Sequence, residues 1–268
     1  MPDAAAFHAL HAGPAVLRLP NAWDAASARI IESAGAKAIA TSSAAVAWAH
    51  GFADGHHLPV SKLVTTIEEI ARVVSVPVTV DAEGGYADDP ADVAENIAAL
   101  IRVGAVGINI EDGRESHELH VRKVAAVRAA AEREGVNLFI NARTDVWLKQ
   151  LVPAEAAMTE GLKRGKALRD AGASGLFVPM LIDAAGLATV VGEVGLPVNA
   201  MARAGLPPAA ELERIGVRRL SAATGVAAAA WTAVRAATEA FLETGDSDVL
   251  AQKAGAPFNY NALFLKDG

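Results

Sequence analysis

The chain is expected to be an α/β protein that folds as a (β/α)8 barrel of the TIM type, with additional helices at its C-terminal end. Three observations lead there. Short β-branched apolar runs alternate with longer alanine-rich helical segments from end to end, the pattern that builds a parallel sheet. A unit of helix, glycine and short apolar strand recurs about eight times. The length of 268 residues matches the roughly 250 that one such barrel takes. Eight strands in a chain this long favour a closed barrel over an open doubly wound sheet. No low-complexity linker or break in composition divides the sequence. One domain is therefore expected over residues 1–268, with a helical tail from about 226 to 268.

The strands are expected at Ala15–Leu19, Ala38–Ser42, Val76–Val80, Gly107–Glu111, Leu138–Ala142, Gly175–Val178, Pro197–Ala200 and Val217–Ser221. Helical patterns lie between them at Ala25–Ala34, Ser61–Val74, Pro90–Val103, His120–Glu134, Pro153–Ala171, Ala184–Glu193 and Pro207–Ile215. Proline in or near the first turn marks three starts, Asp89-Pro90, Val152-Pro153 and Leu206-Pro207. Glycine marks several ends, among them Ala34-Gly35, Val103-Gly104 and Ala171-Gly172. Beyond the eighth strand, Val226–Glu243 and Ser247–Ala254 read as helices. The tail after Gly255 concentrates aromatic residues in a chain that has only 5% of them. That suggests a tail packed on its own barrel or on a neighbouring subunit.

Composition narrows the function. With 52% hydrophobic and 21% charged residues, there is material for a large core. A net charge of −7 argues against a nucleic-acid footprint, which needs a basic face, and gives no encouragement to binding anionic membranes. No cysteine is present, which excludes disulfides, zinc-thiolate sites and thiol catalysis. That fits a reducing cytosol, and a cytoplasmic location is expected. Met1 to Gly13 lacks the basic start and apolar core of a signal peptide. The most apolar helical stretch, Val226 to Leu242, contains Arg235 and Glu239. It reads as a buried amphipathic helix and not as a membrane span.

Side chains at the carboxyl ends of barrel strands line the active-site mouth. Strand three ends in Asp81-Ala82-Glu83-Gly84-Gly85. Two acids spaced i, i+2 emerge on one face of a strand and repel unless a positive charge sits between them. A hard divalent cation, Mg²⁺ with Mn²⁺ as the alternative, is the simplest partner for such oxygens. The other strand ends supply Asn21, Trp23 and Asp24; Thr41, Ser42 and Ser43; Asn109, Glu111 and Asp112; Asn141, Arg143, Thr144 and Asp145; Asn199; and Ser221 and Thr224. Strand six ends in apolar Phe177-Val178-Pro179-Met180. Acids thus cluster on strands three and four, and Arg143 is the one strand-end cation. Carboxylates to hold a metal, with an arginine to share substrate oxygens, suit an anionic oxo-acid substrate. The competing reading of Arg143 is an ion pair with Asp145 or Glu111. His56 and His57 lack a third ligand at useful spacing and are read as a solvated loop. His117 and His120 follow the strand-four acid and are better placed, but they too are read as surface loop.

With these residues in hand, the chain resembles the isocitrate lyase/phosphoenolpyruvate mutase superfamily. Four segments carry the resemblance: Asn21-Ala22-Trp23-Asp24-Ala25-Ala26-Ser27-Ala28, Val80-Asp81-Ala82-Glu83-Gly84-Gly85-Tyr86, Gly107-Ile108-Asn109-Ile110-Glu111-Asp112-Gly113 and Asn141-Ala142-Arg143-Thr144-Asp145. The resemblance implies action on α-oxo or α-hydroxy carboxylates, breaking or forming a C–C or P–C bond next to a pyruvate enolate that Mg²⁺ stabilises. It implies Asp81, Glu83 and Glu111 as the metal residues, Asp81 nearest the ion and the glutamates through waters. Arg143, Asp54 and Glu111 are the implied catalytic residues, Asp54 as a further metal-shell acid. Ser42, the Ser43-Ala44 backbone, Arg143 and Asn199 would hold substrate, and Trp23 would wall the pocket. It also implies a homotetramer built from pairs that exchange C-terminal helices.

The departures from the family pattern are informative. The lyases carry a Lys-Lys/Arg-Cys-Gly-His segment on a mobile loop, and its cysteine is the general acid. Here the corresponding Gly113-Arg114-Glu115-Ser116-His117-Glu118-Leu119 is short and lacks it. Glu83 stands where the family usually has an aspartate, and Pro179-Met180 replaces a lyase glutamate. The expectation is a Mg²⁺-dependent enzyme acting on a small α-oxo acid, either oxaloacetate decarboxylase-like or of phosphonopyruvate type. The alternatives are a C–C lyase on a 2-hydroxy acid, with His117 or His120 as acid, and a non-catalytic metabolite-binding barrel.

Overall fold

The structure is a computed structural model describing residues 4–256 and 258–265. Pro257, which begins the aromatic part of the tail, lies outside the described residues. Nine strands form one all-parallel sheet in the order β1-β9-β8-β7-β6-β5-β4-β3-β2. They are β1 (Leu17–Leu19), β2 (Asn21–Ala22), β3 (Ile39–Thr41), β4 (Val78–Asp81), β5 (Ala105–Glu111), β6 (Phe139–Arg143), β7 (Gly175–Phe177), β8 (Val198–Met201) and β9 (Arg219–Ser221). The two ends of that order are two halves of one extended stretch. Leu17–Leu19 pairs with β9 and Asn21–Ala22 with β3. Pro20 separates them because it has no N–H to give the ladder. Eight strand positions thus close into a barrel, as expected, and the first strand is divided.

Eleven α-helices are present among the described residues. Most occupy the expected segments. α2 (Ala25–Ser33), α4 (Val60–Val73), α5 (Pro90–Arg102), α8 (Ala184–Val194) and α9 (Ala209–Ile215) cover the sheet. α7 (Ala157–Asp170) is preceded by a 3-10 turn at Ala154–Ala156. α6 starts a turn earlier than expected, at His117 (His117–Arg133), because the Ser116 side chain caps it by accepting from Leu119 N–H.

Two helices were not expected. α3 (Ser43–Ala49) follows β3 directly, capped by Ser42. α1 (Ala4–Ala12) sends Phe7 into the amino-terminal end of the barrel, against Leu17, Leu19, Ala38, Ala40, Val106 and Phe139. A Cβ on Gly107 would lie 2.6 Å from the Phe7 ring, so that strand position has room only for glycine. The larger apolar core lies between the sheet and its helices.

The tail corrects one expectation. α10 (Gly225–Thr244) buries only Ala227, while Val234, Phe241 and Leu242 stand exposed. Val226–Leu242 is therefore not a buried helix in the isolated chain; its periodicity describes a face with nothing packed over it. Trp231 anchors it, lying 5.8 Å from Trp23 and 5.6 Å from Trp48 between ring centroids. After α11 (Ser247–Ala254) the chain crosses α2, where Arg29 Nε donates to the Leu263 carbonyl at 2.8 Å. No helix among the described residues is long and apolar enough to cross a membrane.

His117 and His120 are likewise not surface loop. Both lie in α6 and are buried. Burial holds the His120 ring well below the usual imidazole range, at about 4. His11, stacked on Phe139 at 4.0 Å, is pushed down to about 3 by burial and by Arg219. Both rings are neutral in the folded state, whereas an unfolded histidine protonates near pH 6.5. Their contribution is intact above pH 6.5 and is lost as pH falls toward 4, where only the unfolded chain takes up the protons. At pH 5 each costs about 2 kcal/mol. Chemical denaturation at pH 7.5 and 5.0 should show His120→Asn losing about 2 kcal/mol less than wild type. Equal losses would place the acid sensitivity elsewhere.

Candidate active site

Three strand ends build the site. Asp81 closes β4, Glu111 closes β5 and Arg143 closes β6. Ladder register sets Asp81 beside Asn109 and Glu111 beside Arg143. Below them the barrel interior is polar. Asn109 Oδ1 accepts from Asn141 Nδ2 at 2.9 Å and from Arg219 Nη2 at 3.0 Å, so Arg219 reaches across the barrel from the opposite wall. Ser221 Oγ donates to Asn199 Oδ1 at 2.9 Å, and Asn199 Nδ2 has no protein partner.

Asp81 is held at two points. Its N–H donates to Thr41 Oγ1 (3.0 Å), and its Oδ2 accepts from the Ser43 N–H (3.1 Å). Its Oδ1 is buried without a protein partner. The Ser43 N–H is therefore spent on Asp81 and not held ready for substrate. Ser42 Oγ accepts from Ala45 N–H (3.4 Å) as the cap of α3, which leaves its hydroxyl proton available. Ala44 is buried in the first turn of that helix, and Trp23 is half-buried beside Trp231. Asp24 is the N-cap of α2, its side chain accepting from Ser27 N–H.

Glu83 does not share a strand face with Asp81. β4 ends at Asp81, and Glu83 sits in a left-handed turn at φ 48°. Gly85 completes that turn at φ 92°, and a Cβ there would lie 2.4 Å from Val93. The turn aims the carboxylate at protein donors. Oε2 accepts from the His56 N–H at 2.5 Å, and Oε1 from the Tyr86 hydroxyl at 2.9 Å. Burial pushes the Glu83 carboxyl up, while those two hydrogen bonds pull it down. Burial and the Glu83 charge raise the Tyr86 phenol, which keeps it a donor.

His56 is fixed rather than merely solvated. The Gly84 N–H donates to its Nε2 at 2.9 Å, so the ring is neutral with its proton on Nδ1. The 3.6 Å approach of that Nε2 to Glu83 Oε2 is accordingly not an ion pair. Asp54 and His57 are exposed on the same loop, and the Asp54 charge acts on Glu83.

Arg143 is both an ion-pair residue and a site residue. Its Nη1 lies 2.5 Å from Glu111 Oε2; its Nε and Nη2 donate to the two oxygens of Asp145 at 2.6 and 3.1 Å. Lys149 Nζ lies 3.0 Å from Asp145 Oδ2 and 3.5 Å from Glu111 Oε1. Burial pushes the Glu111 carboxyl up to about 7, against the pull of Arg143. Asp112 is structural: buried, it accepts from Thr144 Oγ1, Asp145 N–H and Arg164 Nη1, each at 2.8 Å.

Four carboxylates, of Asp81, Glu83, Glu111 and Asp145, face two cations, Arg143 and Lys149. Burial also pushes the Glu83 and Glu111 carboxyls up, and this crowding of acids is what a divalent cation would relieve. Among the described residues, no three acidic or histidine side chains converge on one point as a ready-made ligand cage. Of the six oxygens of Asp81, Glu83 and Glu111, only Asp81 Oδ1 lacks a protein partner. The donor set fits a hard cation held directly by Asp81, with the glutamates behind water.

Lys149, Tyr86 and His56 were missed as site residues on the sequence alone. Lys149 carried one usable signal, its i, i+4 spacing from Asp145. A cavity of about 250 Å³ opens among Glu83, Glu111, Gly113 and Lys149. A larger one of about 820 Å³ lies among Trp147, Met158, Met180 and Ile182. Its one ionisable side chain, Asp183, is occupied in capping α8, whereas the smaller cavity is lined by Glu83, Glu111 and Lys149.

Comparison with known proteins identifies the family. The family described as phosphoenolpyruvate phosphomutase matches residues 7–242. A crystal structure of a putative phosphonomutase from Burkholderia cenocepacia superposes with a TM-score of 0.84 at 42% identity, over 88% of this chain and 99% of that one. A probable 2-methylisocitrate lyase of Corynebacterium glutamicum is 31% identical, over 79% of this chain and 71% of its own length. An oxaloacetate decarboxylase of Rhodopseudomonas palustris is 26% identical over 89% and 82%. The chain belongs to the phosphoenolpyruvate phosphomutase family, within the PEP mutase/isocitrate lyase superfamily.

Proposed function

We propose that this protein is a Mg²⁺-dependent enzyme that cleaves the bond beyond the oxo group of a small α-oxo acid, in the manner of an oxaloacetate decarboxylase. The observation that supports this most is the single unpartnered carboxylate oxygen, Asp81 Oδ1, in a cluster where acids outnumber the cations that hold them. Held by Asp81, a divalent cation would supply Lewis acidity to the substrate's oxo-acid oxygens. The rest falls to the protein. Arg143, its charge fixed between Glu111 and Asp145, offers its remaining N–H groups to the C1 carboxylate. The Ser42 hydroxyl and Asn199 Nδ2 are further donors without another protein acceptor. Asp54 stands on the loop outside Glu83 as an additional acid. Loss of carbon dioxide needs no protein nucleophile, which suits a site with a short lid and no thiol. The resemblance to oxaloacetate decarboxylase in sequence supports the same reading.

The alternative of a 2-hydroxy-acid lyase loses its candidate acids. His120 is bonded to the Ile110 carbonyl at 3.2 Å in the core, and His117 faces Arg164 and Glu160. A homotetramer made by exchange of C-terminal helices is the assembly we favour, supported by the open apolar side of α10.

Oxalate, which mimics the planar oxygens of the enolate, tests the site directly. Calorimetry should show oxalate binding with Mg²⁺ at least tenfold tighter than without it, and pyruvate release from oxaloacetate should need the metal. Binding of oxalate without regard to Mg²⁺ would sink the reading. Oxalate binding with Mg²⁺ but no turnover of any oxo acid would favour the metabolite-binding barrel.

A further inference from the structure

Two cations, Arg143 and Lys149, share the Glu111 and Asp145 carboxylates, and the reading above uses only one. Arg143 is the deeper of the two, at the end of β6, with its side chain 14% exposed, whereas the small cavity itself is lined by Lys149 and by Arg114 of the turn after β5. Lys149 lies outside Arg143 at the rim, with its side chain 31% exposed. The turn after β6 places it there through the Lys149 N–H to Asp145 carbonyl bond of 2.8 Å. An ammonium has three protons. Two face Asp145 Oδ2 and Glu111 Oε1, at 3.0 and 3.5 Å, and the third is left for the cavity. A Cβ on Gly113 would come within 3.3 Å of Nζ, so the turn after β5 approaches the amine without a side chain to screen it. The other ring nearby, His56, is neutral by its bond from Gly84.

We propose that Lys149 is a specificity residue that takes the second acid group of a dianionic α-oxo acid, a carboxylate or a phosphonate carried on C3. The inference rests on the proposed reading of the site, with the oxo-acid end bound at Asp81 and Arg143. The turn between β5 and α6, residues 113–116, is short. Lys149 brings a charge to the mouth from the neighbouring turn after β6. A charge-assisted hydrogen bond to a substrate carboxylate or phosphonate is worth about tenfold in affinity or more.

The experiment compares three ligands on full-length protein at saturating Mg²⁺. They are 2-oxobutyrate, oxaloacetate and 3-phosphonopyruvate, each read as displacement of bound oxalate in the first seconds after mixing. Wild type should prefer at least one of the two dianions over 2-oxobutyrate by about tenfold or more. Which dianion it prefers tells carboxylate from phosphonate. In K149M that preference should fall to within about twofold of unity, and oxalate binding should change by less than binding of the preferred dianion does. K149R should retain part of the preference. K149Q, which keeps a polar group beside Asp145 without the charge, should behave as K149M does and serves if K149M fails to fold. The inference is overturned if the preference survives in these variants or if wild type shows none. It is also overturned if K149M weakens oxalate as much as the dianions, since Lys149 would then be bracing Glu111 and Asp145. Oxalate binding that ignores Mg²⁺ in wild type would overturn the site reading itself, and this inference with it.

Discussion

Replacing Asp81 with alanine is expected to lower kcat/KM for the α-oxo acid substrate by roughly three orders of magnitude and to abolish Mg²⁺-dependent oxalate binding. The size follows from the geometry. Glu83 and Glu111 have all four oxygens engaged by His56, Tyr86, Arg143 and Lys149, so neither can replace the free Oδ1 of Asp81 without breaking a bond it already makes. Stability should not fall with activity, because the substitution also removes one of four crowded negative charges. Steady-state kinetics with thermal denaturation of the same preparation separates the two effects. A variant that keeps wild-type turnover would move the chemistry away from β4.

Glu115→Ala is expected to be the most destabilising of the conservative changes near the site, at about 3–5 kcal/mol. Lys123, in the middle of α6, is fully buried, and its Nζ donates to Glu115 Oε1 at 2.7 Å and to the Gly84 carbonyl at 3.0 Å. Without Glu115, an ammonium would remain in the core with one carbonyl for company. Lys123→Met should cost less, about 1–2 kcal/mol, because Glu115 is partly exposed and can turn to water. The double variant should therefore be more stable than Glu115→Ala alone, a non-additivity that urea denaturation would read directly. Additive losses would show that the pair is not the buried unit described. The contact also ties the turn after β5 to the turn carrying Glu83, so Lys123→Met should loosen the site as well as the fold.

The strands were legible because a parallel strand buried on both faces is an unbroken apolar run, and all but the sixth end where polar residues begin. The helices missed were those lacking a distinctive contrast. α1 and α3 are alanine-rich segments beside predicted strands, and their apolar residues show no separate stripe. α10 is the helix expected, but its burial departs from expectation for a related reason. Periodicity reports an apolar face but not whether anything in the same chain covers it, and Val234, Phe241 and Leu242 are open. The short-range context of His117 and His120 contains a turn and suggests a loop, yet capping by Ser116 draws them into α6.

Order along the chain was enough to place Asp81, Glu111 and Arg143 at one mouth, since strand ends in a parallel barrel share a side by construction. Side-chain alternation was enough to suggest that acids two apart would meet. It failed at Glu83, whose backbone leaves the strand for a left-handed turn that only the following glycines and the Val93 contact require. Which oxygens are free was decided by tertiary structure alone. The donors that occupy them, Ser43 N–H, His56 N–H, Arg143 and Lys149, come from four separate loops or strand ends, up to 38 residues away in sequence. Hydrogen bonds and ion pairs act over a few ångströms, and no local pattern records which distant groups the fold will bring that close.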